Sequence, residues 1–206
     1  MYSTLARVYD LLVLKALRYE RAADLFVERL PFDPTKPITV LDAGCGTGLY
    51  TLAVLKRFPN AQITAIDESA AMLRRLEAKI ERFGVRDDSV RIEIADVTKP
   101  LTHANSGYDL IICSGMLEHV ALDATVLHLS RYLRPGGCFL DAAVRDNWAG
   151  QVAGAFWRFE PHSHAAIVGA FTEAGLTMSQ KSLLPARYGP MRWAKKAYYF
   201  TKVSVR

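Results

Sequence analysis

Cysteine is scarce in this chain. Three occur in 206 residues, Cys45, Cys113 and Cys138, and none stands at the spacing of a metal knuckle. Each falls in or beside a predicted strand or glycine turn, so they read as reduced, buried thiols of a cytosolic protein and not as a disulfide framework. Long apolar runs are missing as well: no stretch approaches the ~18 residues that span a bilayer. Arg7, Asp10, Lys15 and Arg18 interrupt the start, which does not read as a secretory leader. Internal repeats and low-complexity tracts are absent. Acidic residues are absent from Leu176 to Arg206, where Lys181, Arg187, Arg192, Lys195, Lys196, Lys202 and Arg206 stand, so the net charge of +5 is unevenly spread.

What is present points to one globular domain. Half of the residues are apolar, enough for a sizeable core. Residues 5–30 carry apolar side chains at helical spacing (Leu5, Val8, Leu11, Leu12, Leu17, Ala22, Leu25, Phe26, Leu30), and Pro31, Pro34 and Pro37 then form a stiff linker. A helical cap and linker over 1–36 and a core over 37–206 are expected. From there strands and helices alternate. Strands are predicted at 38–42, 62–67, 90–95, 108–113, 137–143, 176–184 and 197–205, and helices at 48–57, 69–83, 122–132 and 163–174. The alternation predicts an α/β fold with a mainly parallel sheet and helices on both faces.

The densest signal is Val40-Leu41-Asp42-Ala43-Gly44-Cys45-Gly46-Thr47-Gly48: an apolar strand, three alternating glycines, then a helix. Glycines there permit close approach of the backbone to a ligand, or positive φ. A bare strand–helix turn is the alternative. The dinucleotide fingerprint G-x-G-x-x-G would need its third glycine at Leu49, and the glycine comes one residue early, at Gly48. Asp42 at the strand end would repel a pyrophosphate. An adenosine cofactor with no phosphate and a cationic end fits better, and S-adenosylmethionine has both properties.

Ligands of such sheets bind beyond the carboxyl ends of the strands. Asp67 ends the second strand, where its carboxylate can accept both ribose hydroxyls or can cap the next helix, a task open to Ser69 as well. Asp96 ends the third, where it can accept from an adenine amine while Val97 donates its backbone N–H. Met72 packs on an adenine face or into the core. After the fourth strand come Ser114-Gly115 and then Glu118-His119. His119 reads either as a general base or as a hydrogen-bonded structural histidine. Leu133-Arg134-Pro135-Gly136-Gly137 reads as a structural turn into strand five.

Together these pieces, with Ala65-Ile66-Asp67-Glu68-Ser69, Met72-Leu73, Ala95-Asp96-Val97 and Leu117-Glu118-His119-Val120, resemble the class I, Rossmann-like S-adenosylmethionine-dependent methyltransferases. The start, Tyr2 through Tyr9-Asp10, resembles the N-terminal element of small-molecule, lipid or quinone members. The resemblance implies a seven-stranded sheet whose last strand is antiparallel and inserted by a hairpin. It implies that Gly44, Cys45, Gly46 and Gly48 wrap the methionine end of the cofactor, that Asp42 supports its ammonium, that Asp67 binds ribose and that Asp96 with Val97 holds adenine. Tyr9, Glu68, Met72 and Ser114 complete the cofactor candidates, and Glu118 and His119 are the catalytic ones. A quinone O-methyltransferase group carries Glu-x-x-Glu-His after strand four and binds a divalent metal. Gly115 stands at the first Glu here, so no metal is expected.

The acceptor side is less defined. Asn147-Trp148 and Phe156-Trp157-Arg158-Phe159 line an apolar acceptor pocket or pack a short amphipathic helix. His162 and His164 read as helix-start residues. A parallel sixth strand would put the hairpin 185–196, with Arg187, Tyr188, Arg192, Trp193, Lys195 and Lys196, beside the site mouth. There it suits an anionic membrane surface or an anionic acceptor, or is a solvated loop. Expected is a cytoplasmic methyltransferase of a small, lipid or quinone-like acceptor, peripheral to a membrane or not. Nucleic-acid methylation and a catalytically silent cofactor-binding partner are the alternatives; no Asn-Pro-Pro-Tyr-like motif follows strand four.

Overall fold

The computed structural model describes residues 19–84, 88–102 and 107–203. Tyr9, Tyr2 and the first part of the predicted helix 5–30 lie outside the described residues. The chain runs α1 (Tyr19–Glu28), β1 (Thr39–Ala43), α2 (Leu49–Arg57), β2 (Gln62–Asp67), α3 (Ala70–Phe83), β3 (Val90–Ile94) and β4 (Tyr108–Ser114). It continues with α4 (Leu122–Ser130), β5 (Leu133–Ala142), α5 (Trp148–Trp157), α6 (His164–Glu173), β6 (Leu176–Leu183), α7 (Met191–Ala194) and β7 (Lys196–Lys202). Single 3-10 turns sit at Leu117–His119 and Ala186–Tyr188.

The seven strands form one sheet in the order β3-β2-β1-β4-β5-β7-β6. The first five pair in parallel. β7 is antiparallel to both of its neighbours, β5 and β6, so β6 runs with the first five and the last strand lies inside the sheet, as expected. The order reverses between β1 and β4, which makes their carboxyl ends the switch point at which ligands bind.

The strands are apolar because both faces are covered. One core holds Val40, Val54, Leu76, Ile112 and Tyr199; the other holds Leu41, Val126, Ile111, Phe171 and Phe200. β7 shows the two-residue period directly, with Ala197 and Tyr199 on one side and Tyr198 and Phe200 on the other. Phe171 and Phe200 stack at 3.9 Å and Phe139 meets Phe171 edge-on at 4.8 Å.

Several boundaries differ from expectation, among them the end of strand seven, at Lys202 and not at 205. Strand five begins at Leu133, four residues before Gly137, because Leu133 already pairs with Tyr108 across a register shift. The helix predicted to 132 stops at Ser130, and the backbone N–H and C=O groups at Tyr132 turn the chain back toward β4. The stretch after strand five, left open by its composition, is the helix α5.

Candidate cofactor and acceptor site

The glycine loop bridges β1 and α2 at the switch point. Gly44 N and Cys45 N both donate to Ile66 O at 2.9 Å, which ties the loop to the end of β2. Gly44 and Gly48 have φ of 74° and 82°, a region that favours glycine. Space demands glycine there too. A Cβ on Gly44 would stand 2.6 Å from Met116 Cγ, and one on Gly48 would overlap Leu76 Cδ1. Among the described residues nothing stands within 4 Å of a Cβ on Gly46, so the loop offers bare backbone to a ligand. Lys79 pins its far side, donating to Thr47 O at 3.0 Å and to Thr47 Oγ1 at 2.9 Å.

Asp67 holds the other wall. Its Oδ2 accepts from Gly46 N and its Oδ1 from Ser69 N, both at 2.9 Å. One lone pair on each oxygen is thereby oriented and the other remains for a hydroxyl. The helix cap belongs to Ser69, whose side chain accepts from Met72 N, so Asp67 is not spent on it. Asp42 sits beneath the loop, 2% exposed, and accepts from Thr51 Oγ1 at 2.6 Å. Burial, partly offset by Thr51, pushes its carboxyl up to about 6, with Asp67 adding to the rise. A buried carboxyl poised in this way is complementary to a cationic group arriving above it.

The remaining cofactor candidates are spread along the same rim. Cys45 is buried, and burial drives its thiol far up, so it serves as packing and not as a nucleophile. Val97 is buried, Met72 half-buried, Glu68 exposed. Asp96 accepts from Thr98 N and Oγ1 through one oxygen and pairs with Lys99 through the other. The Thr98 hydroxyl, foremost, holds its carboxyl below the ordinary range. A cleft of about 520 Å3 lies along the free edge of β3 and takes in Asp96.

On the other side of the switch point, Ser114 Oγ hydrogen-bonds the Tyr19 hydroxyl at 2.9 Å, and Tyr19 meets Tyr50 edge-on at 6.5 Å. Burial, then Tyr19, raises the Tyr50 hydroxyl well above its ordinary value. Lys195 lies over the Tyr19 ring, 5.3 Å from its centroid, and donates to Ala142 O at 3.2 Å. A Cβ on Gly115 would stand 3.1 Å from Lys195 Nζ. An ammonium therefore occupies the neighbourhood where a metal-binding carboxylate would have to start, and among the described residues no cluster of three or more His, Cys, Asp or Glu could hold a metal ion. Sequence reading placed Lys195 on a hairpin beside the site mouth, suited to an anionic membrane surface or an anionic acceptor, or solvated. The structure buries it instead, because its backbone pairs with Val144 at the end of β5.

Glu118 and His119 diverge. Glu118 is buried and its Oε1 accepts from Val144 N at 2.6 Å, while Oε2 is buried with no hydrogen-bond partner among the described residues. His119 is exposed, with its ring edge-on to Phe159 at 5.1 Å. Asp141 lies close enough to feel Glu118, Lys195 and Lys196; burial first and then Glu118 raise its carboxyl well above the usual range. His162 Nε2 bonds Leu117 O at 3.0 Å and His164 Nδ1 bonds the Tyr198 hydroxyl at 3.0 Å, so both are structural, at the start of α6. Trp148 and Phe156 point to solvent, while Phe159 reaches the His119 ring.

Tyr19 and Thr51 escaped the sequence reading. Tyr19 carried a usable signal, since it shares one helical face with Ala22, Ala23 and Phe26; nothing near Thr51 marked it as the partner of Asp42.

Comparison with known proteins agrees with this fold. Residues 40–137, from β1 into β5, match the family model described as a methyltransferase domain. A malonyl-(acyl-carrier protein) O-methyltransferase from Paenibacillus sp. (strain JDR-2) is 33% identical over 140 residues, 63% of this chain and 49% of that protein. A trans-aconitate 2-methyltransferase from Azoarcus sp. (strain BH72) is 32% identical over 118 residues, 57% of this chain and 42% of that protein. The chain thus spans less than half the length of either relative. Among solved structures, geranyl diphosphate C-methyltransferase from Streptomyces coelicolor A3(2) superimposes with a TM-score of 0.74 over 90% of this chain and 81% of its own, at 17% identity, a likeness of fold.

Proposed function

We propose that the chain, whose residues 40–137 match a methyltransferase domain model, transfers a methyl group from S-adenosylmethionine to an oxygen or nitrogen of a small acceptor. The observation that carries this reading is the Asp67 carboxylate, held by Gly46 N and Ser69 N at the mouth of the glycine-rich loop. Bound, the cofactor supplies an activated sulfonium methyl. The chain supplies position. Asp67 orients the ribose, the loop backbone passes the methionine end, and Asp42 beneath it favours the ammonium. Val97 and Asp96 border the adenine, with Met72 against a ring face; Ser114 and Tyr19 close the side toward β4. Holding the acceptor atom ~3 Å from the methyl carbon in line with the sulfur accounts for most of the rate.

His119, exposed at the rim, takes the acceptor's proton as it is methylated. Phe159 fixes one edge of its ring. Glu118, latched to Val144 N, positions the turn that carries His119. His119→Ala lowers kcat by roughly 10²–10⁴-fold and leaves cofactor affinity, measured by calorimetry, within twofold. Turnover at the wild-type rate with saturating acceptor removes the base role.

The acceptor is a small molecule with an anionic group, lipid- or quinone-like in its apolar part. Lys195, buried beside Gly115 and the Tyr19 ring, is the cation that reads it. The relatives named above act on malonyl-(acyl-carrier protein) and trans-aconitate, both carboxylates. A labelled-methyl transfer screen against lipid, quinone, small-metabolite and RNA fractions tests the reading. Label is expected in an acidic small-molecule or lipid fraction, and Lys195→Met should raise KM for that acceptor at least tenfold while Lys195→Arg restores it. Label in RNA alone, or cofactor binding without transfer to any fraction, overturns it.

A further inference from the structure

α5 is built inside out. Its sequence, Trp148-Ala-Gly-Gln-Val-Ala-Gly-Ala-Phe-Trp157, carries no charge over ten residues. A helix on a protein surface ordinarily turns its large apolar side chains inward. Here the buried positions are Gly150 and Gly154. A Cβ on Gly150 would overlap the Arg145 carbonyl oxygen, and one on Gly154 the Phe159 carbonyl oxygen, so the glycine face is docked directly on backbone. The large residues are left outside: Trp148, Val152 and Phe156, four apart on one face, are 68%, 65% and 72% exposed.

The hairpin next to it extends the strip. Trp193, 41% exposed, meets Trp148 at 6.3 Å between ring centroids, and Asn147 Nδ2 donates to Trp193 O at 3.0 Å. Arginines border the strip. Arg192 lies over the Trp193 ring at 5.3 Å and Arg187 over Tyr188 at 5.3 Å. Arg145 donates to Arg192 O and Arg158 caps the far end of α5. These four outnumber the two carboxylates nearby in sequence, Asp146 and Glu160.

We infer that the Trp148–Val152–Phe156 face of α5, with Trp193 and its bordering arginines, is a docking surface for an anionic lipid bilayer. An uncharged helix lying in the interface plane, with Trp at its edge and arginines around it, matches what such a surface rewards: apolar burial at headgroup depth plus attraction to acidic lipid. A second copy of the chain fits less well. A ten-residue helix is about 15 Å long and about 10 Å across, so the strip covers no more than a few hundred Å2. A stable protein interface needs roughly 800 Å2 per partner. The surface lies beside the His119–Phe159 rim, so docking there would turn the site mouth toward the bilayer.

The test is co-sedimentation with vesicles of phosphatidylcholine containing 30% phosphatidylglycerol, beside pure phosphatidylcholine, at low and high salt. Binding at low salt at least tenfold stronger to the acidic vesicles is expected, with a tenfold or greater loss in Trp148→Ser/Phe156→Ser at an unchanged melting temperature. A measurement free of any variant accompanies it: phosphatidylcholine brominated in the acyl chain should quench the wild-type tryptophan fluorescence when mixed with the acidic lipid. No binding, no quenching, equal binding by the double variant, or a dimer in sedimentation that depends on Trp148 and Phe156 with no vesicle binding overturns the proposal.

Discussion

Gly48→Ala lowers the unfolding free energy by about 2–5 kcal/mol, the sum of about 1–2 for a side chain in the left-handed region and about 1–3 for overpacking. The methyl group would enter the volume of Leu76 Cδ1, and Leu76, on α3, is fully buried. Cofactor affinity falls at least tenfold in the same variant, because the loop must shift to relieve the overlap. The two parts separate in a cycle with Leu76→Ala. That background removes the steric part, so Gly48→Ala should cost only about 1–2 kcal/mol there. Urea unfolding of the four proteins measures the coupling. Equal costs in both backgrounds would show that Leu76 is not the obstacle.

Asp42→Asn separates stability from function with opposite signs. The native carboxyl titrates at about 6, above its ordinary 3.8, because burial penalises its charge. A carboxyl raised in the folded state contributes stability below the unfolded value and loses it as pH climbs through the folded one. The ligand-free protein therefore gives up about 3 kcal/mol between pH 4 and 7, from two pK units at about 1.4 kcal/mol each. Asparagine keeps an oxygen for the Thr51 hydroxyl and carries no charge. Its melting temperature at pH 7.5 should exceed that of the wild type by roughly 6–12 °C for a chain of this size. The advantage should vanish by pH 4. Cofactor affinity should fall tenfold or more, since the ammonium loses its counter-charge. An unchanged melting temperature at pH 7.5 would falsify the burial argument; an unchanged affinity would remove Asp42 from the methionine end.

These two residues also show how far the linear chain could be read. The alternation of strand and helix, the parallel order and the glycine loop are local or periodic signals, and the structure agrees with each. The inserted last strand agrees as well, although that expectation came from resemblance to a family and not from the residues themselves. Boundaries slipped where pairing overrode composition, as at Leu133, which joins β5 because Tyr108 is opposite it. Asp67 was legible from its distance to the glycines. Its freedom from helix capping was not, because Ser69 and Asp67 are equally plausible caps until the Ser69 side chain is seen on Met72 N.

What the sequence determined by itself is the loop and the carboxylates after the strands. Their reading as cofactor ligands rests on residue type and spacing over some 60 residues. Tertiary structure alone decided where Lys195 and the aromatics of α5 sit. Lys195 is one of seven basic residues in an acid-free tail, and only pairing with Val144 carries it under the Tyr19 ring while Arg187 stays in solvent. The aromatics of α5 read either as a pocket lining or as the packed face of a short amphipathic helix. The two glycines that press on the Arg145 and Phe159 carbonyls turn them outward, because the closest backbone contact goes to the face with no side chain.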